Sequence, residues 1–103
     1  MLFIKLHKSY RCIIAICDSN LIGKTFEEKF EKGTKQLDIR ESFYKGEETS
    51  IEKAIELMKF QSKEDSTFSI VGPESIKAAK SAGIINDEGI GHIDGVPYAL
   101  VLL

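Results

Sequence analysis

The sequence predicts an α+β fold, a single domain in which a mixed, mostly antiparallel sheet of five or six strands carries two main helices. Three observations lead there. Short apolar runs rich in Ile and Val, some alternating with a period of two, lie at both ends and in the middle of the chain. Two segments repeat their apolar residues at helical spacing behind helix-start signals. An Asp-Gly pair divides the last two apolar runs, as a tight hairpin requires.

Leu2 to His7 alternates, with Leu2, Ile4 and Leu6 on one face and Phe3, Lys5 and His7 on the other. Lys8-Ser9-Tyr10 reads as a turn, and Arg11 to Cys17 is apolar on both faces, as expected of a strand inside the sheet. The two make an N-terminal hairpin, and Asp18-Ser19-Asn20, whose side chains favour a turn, ends its second strand. Leu21 to Phe26 leads into the charged stretch Glu27 to Lys32, with Phe26 and Phe30 four residues apart, a short helix or an irregular excursion that Gly33 ends. Lys35 to Arg40 alternates through Leu37 and Ile39 and suits an edge strand kept soluble by its charges.

Glu41 to Gly46 reads as a loop bearing two adjacent aromatic residues. Thr49-Ser50-Ile51-Glu52 has capping-box form with Thr49 as the cap, so a helix is expected over Ser50 to Phe60. Its Ile51, Ala54, Ile55 and Met58 form one buried stripe. Thr67 to Val71 is a short strand. Gly72-Pro73 then opens a second helix to Ala82, because Pro at the first helical position sacrifices no hydrogen bond. Ile76, Ala79 and Ala82 line its inner face, and Gly83-Ile84 fits a left-handed stop. Ile90 to Ile93 and Val96 to Leu103 flank Asp94-Gly95 as a terminal hairpin, with the last strand central because it is apolar on both faces.

A length of 103 residues with 43% apolar residues allows one modest core and leaves no room for a second independent domain. Fourteen basic and sixteen acidic residues are interspersed, for a net charge of −2. That balance argues against broad electrostatic binding to nucleic acid or an anionic membrane. No apolar stretch approaches the roughly 20 residues of a membrane span, and Leu2 to Leu6 is too short and too charged for a secretory signal. A cytoplasmic protein is therefore expected. Cys12 and Cys17 share one strand, where about 3.3 Å per residue puts them roughly 16 Å apart, beyond the ~7 Å limit of a disulfide. They are read as free thiols, and no residue set implies a metal or other cofactor.

Three constellations are candidates for function. The turn Val71-Gly72-Pro73-Glu74-Ser75 could hold an anion at a helix N-terminus, although Glu74 and the missing donor of Pro73 favour a capping role. Phe43, Tyr44 and Lys45 could stack on a base or grip a peptide, or their rings could plug an open end of the core. His92 and Asp94 alternate onto one side of a strand, where a carboxylate could orient an imidazole as a general base. With Glu41 they form a candidate catalytic set for a small hydrolase or transferase, but turn formation by Asp94 and a solvated His92 explain the same letters.

Cys17-Asp18, the run Leu21 to Glu28, Glu41-Ser42-Phe43-Tyr44-Lys45-Gly46 and Ile93-Asp94-Gly95-Val96-Pro97 occur in that order over nearly the whole chain. Together they resemble a small, chiefly archaeal family of uncharacterised conserved proteins known as a domain of unknown function. The resemblance implies an archaeal, cytoplasmic origin and supplies no established activity or catalytic residues. It also implies His at the place of Tyr98, and this departure weakens any essential role for a His there. The favoured expectation is a non-enzymatic binding module that uses Phe43, Tyr44, Lys45 and Tyr98 toward RNA, a protein or a small anion. A hydrolase or transferase is the first alternative, and a subunit that pairs with its own copy or enters a larger assembly is the second.

Overall fold

The computed structural model describes residues 1–8, 12–63 and 66–102. The expected turn at Lys8-Ser9-Tyr10 lies largely outside the described residues. The fold is α+β, built on one six-stranded mixed sheet in the order β5-β1-β2-β6-β8-β7. These strands are β1 (Leu2–Lys8), β2 (Cys12–Asp18), β5 (Glu47–Thr49), β6 (Ser66–Val71), β7 (Gly91–Ile93) and β8 (Val96–Leu102). Only β2 and β6 run parallel; the other neighbours are antiparallel.

Alternation assigns each strand residue to one of two cores. Leu2, Ile4, Ile14, Ile16, Phe68, Ile70 and Ala99 face the helices α2 (Ile51–Gln61) and α3 (Pro73–Ser81), which bring Ala54, Met58, Ile76, Ala78 and Ala79 down onto them. Ala15, Cys17, Val71 and Val96 point to the other face, where Leu21, Ile39 and Tyr44 complete a smaller core. Cys12 and Cys17 are both free thiols.

Both expected helices are present, and α3 ends as its Gly83-Ile84 pair requires. Gly83 takes φ 77°, its N–H donates to the Lys80 carbonyl, and the Ile84 N–H donates to the Ala79 carbonyl. At the start of α2 the cap is Ser50 rather than Thr49: the Ser50 hydroxyl accepts from the Lys53 N–H at 3.3 Å. Thr49 is committed elsewhere, as the last residue of β5 opposite Leu2.

Three further elements differ from the sequence expectation. Residues expected as a helix or irregular excursion form β3 (Thr25–Phe30), paired with β4 (Gly33–Asp38) as a separate two-stranded sheet. Only Phe26 and its partner Leu37 are half-buried in it; Phe30, which suggested a helical stripe with Phe26, is 48% exposed. The expected loop at Glu41 holds one helical turn, α1 (Glu41–Tyr44), followed by β5. Strand β8 lies one position in from the sheet edge, but the side chains of Leu100 and Leu102 are 66% and 71% exposed, so its far half is not enclosed on both faces.

Candidate functional site

The turn considered as an anion site already contains its anion. Asp18, at the end of β2, is 2% exposed and accepts from the Glu74 N–H at 3.1 Å and from the Ser75 N–H at 2.8 Å. The Ser75 hydroxyl donates to the same carboxylate at 2.8 Å. The carboxylate thus satisfies the free donors of the first turn of α3 and complements its dipole. Gly72 leaves the room for it: at φ 107° a Cβ would lie 2.4 Å from Asp18 Cγ.

The aromatic segment is held against the sheet by α1. In this single turn the Glu41 carbonyl accepts from the Lys45 N–H, and β1 supplies partners for the next two carbonyls. Lys5 Nζ donates to the Ser42 carbonyl at 2.7 Å, and His7 Nε2 sits 2.8 Å from the Phe43 carbonyl, which makes that nitrogen the protonated one. The Phe43 ring stacks on His7 with centroids 4.5 Å apart. Tyr44, only 7% exposed, hydrogen-bonds through its hydroxyl to Ser69 Oγ at 2.8 Å. Contrary to an exposed aromatic loop, Tyr44 is a core residue; burial, partly offset by the Ser69 bond, raises the pKa of its phenol. Lys45 remains exposed beside it.

Tyr98 belongs to the same face and the same smaller core as Phe43 and Tyr44. Its ring lies over Gly91 on the neighbouring strand, so close that a Cβ at Gly91 would approach it to 2.7 Å. The structure therefore brings the aromatic residues together in one packed layer.

The candidate catalytic residues are dispersed. Glu41 lies on the α1 face of the sheet, whereas His92 lies on the α3 face beside Pro97. Asp94 adopts φ 51° in the hairpin turn with Gly95 at φ 79°, the geometry of a type I′ turn. Alternation stops there, and the Asp94 N–H donates to Glu28 Oε1 of β3 at 3.3 Å. No group of three or more His, Cys, Asp or Glu residues suited to a metal occurs among the described residues.

His92 instead lines an open groove of about 670 Å³ between α3 and the C-terminal hairpin. Pro73, Ile76, Ile90 and Pro97 form its apolar surface, and Lys77, Lys80, Asp87 and His92 its polar rim. Lys80 and Asp87 form an ion pair, tying α3 to the turn before β7. Lys77 makes no ion pair among the described residues and adds a positive charge to the rim. Sequence reasoning found His92 but not Lys77, Lys80 or Asp87. The available signal was the i, i+3 spacing of the two lysines on the polar side of α3.

A family model described as a protein of unknown function (DUF424) matches residues 7–103, the span holding both faces of the sheet and the groove. The chain belongs to the DUF424 family. An uncharacterized conserved protein from Methanopyrus kandleri has a similar crystal structure, with a TM-score of 0.77 and 22% sequence identity over 98% of this chain and 91% of that one. At that identity the likeness shows the DUF424 chain's fold alone. No curated protein matches. No described helix is long and apolar enough to cross a membrane.

Proposed function

We propose that this DUF424 protein is a small cytoplasmic binding module whose groove beside α3 takes a ligand with an apolar body and one anionic group. The observation that carries this reading is the gathering of Lys77 and His92 on the rim of an apolar depression formed by Ile76, Ile90 and two prolines. Such a concave apolar surface with a few placed polar groups is the usual form of a ligand site. Lys77 supplies charge, His92 offers a ring donor, and the Lys80–Asp87 pair holds the two walls together. Phe43, Tyr44 and Tyr98 then build the opposite face and leave ligand contact to the groove. The free thiols suit a reducing compartment.

Calorimetric titration with phenyl phosphate and with benzoate tests the reading. Saturable binding that weakens about tenfold or more in Lys77→Glu, and that Tyr98→Phe leaves unchanged, is expected. Absence of binding, or binding indifferent to Lys77→Glu and His92→Ala, would refute it.

A further inference from the structure

Among the described residues nothing pairs with the outer edge of β8 beyond Tyr98, and its backbone pattern matches its own two-fold image. Strand β7 pairs only with Val96, Pro97 and Tyr98. Ile93 and Val96 close a two-residue turn and so exchange both ladder bonds, which directs the main-chain groups of Val96 toward β7. By alternation those of Tyr98, Leu100 and Leu102 point the same way, while Pro97 faces β6, where its carbonyl accepts from the Gly72 N–H at 2.9 Å. Leu100 and Leu102 therefore aim their N–H and C=O groups at an open edge, and no described residue bonds to them there. Their side chains are also the most exposed large apolar ones in the described structure, at 66% and 71%.

The opposite edge is treated differently. Past the three residues of β1 that β5 covers, β1 carries the charged residues Lys5 and Lys8, a guard that keeps an edge from pairing. Val96 to Leu102 contains no charged residue at all. One edge is defended and the other is not.

We infer that β8 pairs with β8 of a second copy of this chain, antiparallel about a two-fold axis at Val101, with Leu100 opposite Leu102 of the second copy. This register uses every outward N–H and C=O of the two leucines in each copy. It also places four leucine side chains in contact on the face opposite the helices. An isologous contact of this kind closes after two copies, whereas pairing β8 with the guarded β1 edge would propagate and would bring apolar residues against lysines. The uncharged strand presents nothing to repel its own copy. The inference is independent of the groove and of any ligand.

Sedimentation velocity across a range of concentrations should show conversion from the mass of one chain to twice that mass. The variant Leu100→Lys/Leu102→Lys should stay at the single mass with an unchanged circular dichroism spectrum, and so should Leu100→Glu/Leu102→Glu. Mixing the two should restore the doubled mass, because Lys and Glu then oppose each other in the stated register. If the double substitutions impair folding, Val101→Cys serves instead: the Val101 pair at the axis is non-hydrogen-bonded, close enough for a disulfide between copies. A single mass at all concentrations, a doubled mass unaffected by the lysines, or no cross-link at Val101→Cys would each overturn the inference.

Discussion

Oδ1 of Asp18 accepts both the backbone N–H and the hydroxyl of Ser75, two bonds of 2.8 Å that join the end of β2 to the start of α3 across 57 residues of chain. This carboxylate is the main polar link between the two halves of the parallel β2–β6 pair and the helix that covers them. It occupies the helix N-terminus that would otherwise invite a phosphate, so the functional surface has to be sought elsewhere.

Replacing Asp18 by Ala should cost about 2–4 kcal/mol, since it removes a charged cap and leaves buried donors unpaired. Asp18→Asn, which keeps one acceptor oxygen, should cost less. Urea unfolding measures both, and equal stability for Asp18→Ala and the parent protein would show that the link does not support the fold.

Gly72 and Gly83 both have positive φ, 107° and 77°, but only Gly72 is also crowded. Ala at position 83 meets nothing within 4 Å and should cost about 1–2 kcal/mol for its left-handed backbone alone. Ala at position 72 must also displace Asp18 and should be clearly worse. Thermal unfolding of the two variants side by side gives the order, and a milder effect at position 72 would contradict it.

Stability should fall at alkaline pH, with Cys17 as a principal cause. Burial first, and the neighbouring charge of Asp18 second, push the Cys17 thiol from 9.0 up to about 12. Above pH 9 the unfolded chain releases this proton while the folded chain retains it, so stability is fully present below pH 9 and is lost as pH rises toward 12. Tyr44, raised from 10.0 by burial, adds to the loss in the upper part of that range. Denaturant midpoints from pH 8 to 11 should fall steadily, and Cys17→Ala should flatten the first part of the decline at some cost in packing. In the folded protein at neutral pH, iodoacetamide should label the half-buried Cys12 well before the fully buried Cys17.

The elements legible in the sequence are those whose own pattern decides them. α2 and α3 carry apolar stripes with start and stop residues, and the Asp94-Gly95 hairpin follows from two residues that accept positive φ. β5 was hidden because Glu47-Glu48-Thr49 has no apolar pattern; pairing with Leu2, Phe3 and Ile4 makes it a strand. β3 was masked by Phe26 and Phe30, whose helical spacing is incidental to a hairpin that buries only part of one face. The site divides in the same way. His92 is visible as a histidine beside a hairpin turn, but its setting depends on α3 lying over Pro97, which brings Lys77 and Ile76 from fifteen or more positions away. Asp18 reads locally as a turn former, and only the parallel β2–β6 register carries it to Ser75.

The two histidines of the chain lie on opposite faces of the sheet and provide an internal comparison. His92 borders the groove, while His7 is stacked under Phe43. Imidazole ring resonances followed by NMR during titration with phenyl phosphate therefore test the location of binding directly. Saturable movement of the His92 signals with those of His7 unmoved is the predicted result. Movement of His7 together with Phe43, while His92 stays still, would contradict the groove and return the binding surface to the aromatic face.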